Sequence, residues 1–100
     1  MPHEAITIVD EGRNVVATGL VEFLGDCYSG SVNVDRMSDS FQKMFVEYED
    51  VVNNQTFSIL DQIEDRISSI RFSAIFEGGS EFPVKDLQIF PKGGTLSFKA

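Results

Sequence analysis

The sequence lacks tryptophan and contains only one cysteine and one histidine. Since Cys27 has no second thiol to pair with, no disulfide can form within the chain, whereas small secreted domains usually carry paired cysteines. A typical zinc site needs several His or Cys ligands, and a nucleophilic thiol needs a neighbouring base. With His3 as the only imidazole, the sequence predicts no metal, no cofactor and no catalytic residues.

Long apolar runs are also missing. A membrane-spanning helix needs about 20 apolar residues, and no run of that length occurs. Residues 1–4 lack the basic and apolar regions of a signal peptide, and we expect them to form a flexible tail. Together with the single cysteine, these features predict a cytoplasmic protein whose residues 1–100 form one domain.

Positive charge is scarce. Eight Lys and Arg residues stand against sixteen Asp and Glu residues, which gives a net charge of −8. The basic residues are scattered and form no cluster of the kind that displaces counterions from nucleic acid. The negative charge also disfavours anionic membranes. We therefore expect neither nucleic acid nor a membrane as partner, whereas the charge suits a basic protein partner.

Apolar residues are plentiful, at 42% of the chain with nine Phe, which argues for a folded domain. Six segments have the β-branched or alternating apolar character of strands. They are residues 5–9, 15–24, 31–35, 70–76, 82–89 and 96–98. Segment 15–24 is apolar on both faces, which one layer of helices cannot cover. We expect the sheet to curl round on itself, and the alternative is a homodimer formed through its second face.

The alternation of apolar residues changes phase between Val84 and Leu87. Side chains alternate between the two faces of a strand with a period of two, so a change of phase requires an extra residue. The sequence therefore predicts a bulge or kink near Lys85 and Asp86.

The middle of the chain has the spacing of helices. An apolar stripe recurs at steps of three and four residues: Phe41, Met44, Phe45, Tyr48, Val51 and Val52. It predicts a main amphipathic helix over about 39–52, with Asp39 or Ser38 as N-cap. A shorter helix is predicted over about 61–68, with Asp61 as its cap.

These elements predict an α+β fold. The order is β-β-β-α-(α)-β-β-β, the sheet is curved and mainly antiparallel, and the main helix packs on one of its faces.

The outer side of the main helix, together with the start of the second, is acidic and carries one exposed valine. We predict a partner-binding surface here, formed by Val46, Glu47, Glu49, Asp50, Asp61, Glu64 and Asp65. Complementary charge of this kind would attract and select a basic partner.

The function favoured by the sequence is therefore that of a small acidic, non-enzymatic protein-interaction or regulatory module. One alternative is a small-ligand-binding domain with a Phe-lined cavity between helix and sheet. A small enzyme that uses surface carboxylates is a further alternative.

Overall fold

The computed structural model describes residues 3–99, which form seven strands and two helices. The strands are β1 (Glu4–Val9), β2 (Val15–Leu24), β3 (Cys27–Asn33), β4 (Ser73–Phe76), β5 (Glu81–Pro83), β6 (Lys85–Phe90) and β7 (Thr95–Lys99). The helices are α1 (Asp39–Asn53) and α2 (Phe57–Ser68), both between β3 and β4. This order confirms the predicted α+β arrangement. The predicted tail, residues 1–4, lies partly outside the described residues, and Glu4 belongs to β1.

All seven strands form one antiparallel sheet in the order β5-β4-β1-β2-β3-β7-β6. The two edge strands, β5 and β6, are separated in sequence by Val84 alone. Consecutive Cα atoms lie about 3.8 Å apart, so the two edges must meet at this residue. The sheet is therefore curled round on itself, as the apolar residues on both faces of segment 15–24 predicted. Val84 donates its backbone N–H to the carbonyl of Phe72, just before β4.

The phase change predicted near Lys85 and Asp86 is confirmed. Lys85 lies opposite Lys99 and Gln88 lies opposite Ser97, so the register between β6 and β7 shifts between these two pairs. Two residues of β6 therefore face one residue of β7, which is the arrangement of a bulge. Asp86 takes a left-handed conformation here, with φ of 52°. The predicted strand 82–89 is thus divided into β5 and β6.

The inner face of the curled sheet holds most of the core. Its buried side chains alternate along each strand: Ile6, Ile8, Ala17, Val21, Ala74, Phe76, Ile89, Leu96 and Phe98. On the opposite face of β2, Leu20 is 50% exposed and Leu24 is 52% exposed. Packing in the core therefore does not account for Leu20 and Leu24, the apolar side chains that remain exposed on this face of β2.

The helices pack where the two edges of the sheet meet. The Phe41 and Phe45 rings of α1 lie 5.7 and 6.1 Å from that of Phe72, and Tyr48 lies 5.9 Å from Phe90. These contacts come from the stripe that predicted the helix. Burying it against the sheet is what stabilises an amphipathic helix of this length.

The helix ends differ in detail from the predictions. Ser38 is the N-cap of α1, because its hydroxyl accepts the backbone N–H of Phe41 at 3.3 Å. The second helix begins at Phe57 rather than at 61, so the prediction of Asp61 as its cap is wrong. The helix starts directly after the loop, and its N-cap residue Thr56 makes no side-chain cap hydrogen bond.

Two glycines let β2 and β3 approach closely. A Cβ on Gly30 would overlap the backbone carbonyl oxygen of Leu20, and one on Gly19 would meet the carbonyl of Ser31 and the side chain of Leu96. Any side chain at either position would therefore force the strands apart.

We predict that Gly30→Ala destabilises the fold by about 1–3 kcal/mol or more, because the added methyl group has no space and the neighbouring atom is backbone. Gly78→Ala is the matched control, since its Cβ would meet nothing within 4 Å. That change should alter the free energy of unfolding by no more than about 0.5 kcal/mol. Urea unfolding of both variants checks the prediction, and equal midpoints would contradict it.

Candidate functional site

The structure divides the predicted partner-binding surface between two helices. Val46, Glu47 and Asp50 lie together along the outer side of α1, where they line a shallow depression of about 560 Å³. The predicted acidic residues of α2 do not line it. Asp61 and Asp65 are exposed elsewhere on α2, and Glu64 lines a different cleft. The predicted residues therefore do not form one continuous surface.

The depression, called the α1 depression below, combines apolar and charged side chains. It is lined by Asp39, Gln42, Lys43, Val46, Glu47, Asp50, Val51, Asn54 and Thr56. Its lining combines two valines, of which Val51 is buried, with three carboxylates and the ammonium of Lys43. The charged side chains, called its rim below, are therefore mainly acidic. This combination suits contact with a partner that carries both apolar and basic groups.

Two of the rim carboxylates already pair with basic residues of the chain. Glu47 lies 3.4 Å from Arg66 of α2, and Asp50 lies 2.7 Å from the ammonium of Lys92. The hydrogen bond to Asp50 raises the pKa of Lys92 above its ordinary value. Exposed ion pairs of this kind contribute at most about 1 kcal/mol to stability. Asp39, also on this rim, makes no such pair within residues 3–99.

Glu49 does not belong to the exposed surface for which it was predicted. Its side chain is buried, with 3% exposure, and its carboxylate accepts the backbone N–H groups of Lys92 at 2.8 Å and Gly93 at 2.9 Å. These residues form the turn between β6 and β7. Glu49 therefore ties α1 to that turn, and a partner cannot reach it. The sequence prediction was wrong here because it treated every acidic side chain off the apolar stripe as solvated.

A second and more enclosed cleft lies between α2 and the end of the β6–β7 pair. It has a volume of about 760 Å³, and we call it the β6 cleft. Its lining residues are Cys27, Tyr48, Glu64, Ile67, Ser68, Ile70, Phe72, Val84, Lys85, Asp86, Leu87, Gln88, Ser97, Phe98 and Lys99. The lining includes the β6 bulge, where the pairing with β7 is interrupted.

Four polar side chains in the lining of the β6 cleft form two hydrogen-bonded pairs. The Tyr48 hydroxyl donates to a Glu64 carboxylate oxygen at 3.4 Å, and the Ser97 hydroxyl donates to the amide oxygen of Gln88 at 3.4 Å. Burial, reinforced by the charge of Glu64, raises the pKa of Tyr48 above its ordinary value near 10. The phenol therefore stays neutral and acts as a hydrogen-bond donor at ordinary pH.

No family model, curated protein or solved structure matches this chain. Within residues 3–99, no helix is long and apolar enough to cross a membrane. The same residues contain no group of three or more His, Cys, Asp or Glu side chains placed to hold a metal ion.

The β6 cleft was not located from the sequence. Its walls come from five separate parts of the chain, and the only local signal was the change of phase near Lys85. The alternative of a small-ligand-binding domain with a Phe-lined cavity between helix and sheet stays a prediction. Phe72 and Phe98 do lie in the lining of the β6 cleft.

We predict that Glu49→Gln lowers the free energy of unfolding by about 2 kcal/mol. An amide offers one oxygen and one N–H₂ group to two buried N–H donors, so one donor is left without an acceptor. Glu47→Gln is the control on the same helix, and its loss of an exposed ion pair should cost less than about 1 kcal/mol. Denaturant unfolding compares the two, and similar losses would contradict the anchoring role of Glu49.

Proposed function

We propose that this protein is a non-enzymatic protein-interaction module whose partner binds at the α1 depression. It would act in the cytoplasm, on the argument from the single cysteine. The partner is a basic protein segment that places an apolar side chain against Val46.

The observation that carries this proposal is the position of Val46 among three carboxylates. Val46 lies on the outer side of α1, only partly buried, while the stripe residues on the opposite side form the core. Apolar groups at the centre of a contact supply affinity, and charged groups at its rim speed association and select partners. Asp39 contributes a rim charge that no residue of the chain pairs with, within residues 3–99.

The rest of the charge distribution agrees with a basic partner. The chain carries a net charge of −8, so an approaching basic segment is attracted from a distance before specific contacts form. This attraction weakens as salt is added, because ions screen exposed charges beyond about 10 Å at 0.1 M.

A second candidate is self-association through the outer face of β2. Leu20 and Leu24 are about half exposed on this face, at 50% and 52%. Beside Leu20, a depression of about 530 Å³ crosses β1, β2, β3 and β4. Exposed apolar side chains grouped on one sheet face are typical of contact surfaces.

We predict that Val46→Arg lowers partner capture by at least about tenfold, because it removes the apolar contact and repels a basic segment. The measurement is affinity capture from cell extract with quantitative mass spectrometry, repeated at high salt. Leu20→Arg is the matched control, with the same kind of change on the sheet, and should leave capture intact. Capture that survives Val46→Arg, or that is lost with Leu20→Arg instead, would contradict the α1 depression as the contact.

For self-association, light scattering at rising concentration should give a molar mass above the 11.1 kDa of one chain. Leu20→Arg should return the mass to that of one chain, because a buried unpaired charge is costly in an apolar contact. A wild-type mass of one chain at the highest concentration rejects the dimer.

A further inference from the structure

We propose that the β6 cleft binds a small molecule with an apolar body and a single carboxylate, and that Lys85 is the cation that receives the carboxylate. This site is separate from the α1 depression and does not depend on the proposed partner.

The size and lining of the cleft suit an apolar body. Its volume of about 760 Å³ lies in the range of small-molecule sites, which are about 300–1,000 Å³ and mainly apolar. Its apolar side chains come from α2, the segment before β4, and strands β6 and β7: Ile67, Ile70, Phe72, Leu87 and Phe98. Ile70 is the most exposed of these side chains, and an apolar chain can lie against it.

The two lysines in the lining of the cleft lie opposite each other on neighbouring strands. Lys85 and Lys99 are paired directly across β6 and β7, and like charges placed opposite each other destabilise a sheet. Lys99 is partly compensated, because its ammonium lies 3.8 Å from carboxylate oxygens of both Asp26 and Asp86. Lys85 makes no ion pair within residues 3–99. An anion placed between the two lysines would relieve their repulsion.

The two carboxylates in the lining do not cancel this preference. Glu64 accepts the Tyr48 hydroxyl, and Asp86 lies beside Lys99. Both carboxylates keep their negative charge, and the anion is received at Lys85, the lysine of the lining that makes no ion pair within residues 3–99. The bulge at which Asp86 takes a left-handed conformation also shifts the β6–β7 register beside Lys85, within the lining of the cleft. Strained backbone of this kind is more common at binding sites than elsewhere.

Octanoate is the probe for this site, and octanamide, with the same chain and a neutral head, is the matched ligand. Both are titrated into the isotope-labelled full chain at low salt while backbone amide shifts are followed by NMR. Octanoate should shift residues 67–72, 84–88 and 97–99 and should bind more tightly than octanamide. Lys85→Gln should weaken octanoate about tenfold, because a charge-assisted contact is lost, and should leave octanamide unchanged.

Lys43→Gln, which removes an exposed lysine of α1, is the control and should leave octanoate affinity unchanged. The inference is overturned if octanoate shifts no cleft residue, if it binds Lys85→Gln as tightly as wild type, or if octanamide binds wild type equally well. Shifts centred on the exposed side chains of Phe23 and Leu24 would also overturn it. Val46→Arg should keep its octanoate affinity, so failure of the partner proposal and failure of the ligand site are separate results.

Discussion

Val84 alone connects a strand at one edge of the sheet to a strand at the other, and the rest of the fold follows from this connection. Because β5 pairs with β4 while β6 pairs with β7, the five strands between them have to turn through the whole curl for the edges to meet. Gly19 and Gly30 permit the close approach of β2 and β3 that this curl requires. The backbone hydrogen bond from Val84 to Phe72 then ties the junction to the start of β4.

The junction also decides where the helices lie. The meeting of two edge strands leaves the Phe72 ring and the outer side of β6 uncovered, and α1 supplies Phe41, Phe45 and Tyr48 to cover them. Apolar burial alone does not fix the position of a helix along its axis. Glu49 adds that constraint, because a carboxylate that accepts two backbone N–H groups has only one good placement.

The parts of the fold that could be predicted are those that depend on the spacing of apolar residues within one segment. The stripe from Phe41 to Val52 predicted α1 to within a residue of its end, and the phase change near Lys85 predicted the bulge. Local patterns could not show that the predicted strand 82–89 is divided into two strands at opposite edges of the sheet. The strands with which they pair are distant in sequence. For the same reason, Glu49 looked like any acidic residue on a helix flank. What distinguishes it is the turn at Lys92, which folding brings to it.

The α1 depression is less acidic in effect than its composition indicates. Arg66 and Lys92 already pair with Glu47 and Asp50, so a basic partner would gain new charge contacts only by sharing or displacing them. Such an exchange yields little net free energy, since exposed pairs are weak to begin with. Under the proposed function, affinity at this surface would therefore come mainly from apolar contact with Val46, while the net charge of −8 would govern how fast partners arrive and which are repelled. This is why the proposed test replaces the valine rather than the acidic residues.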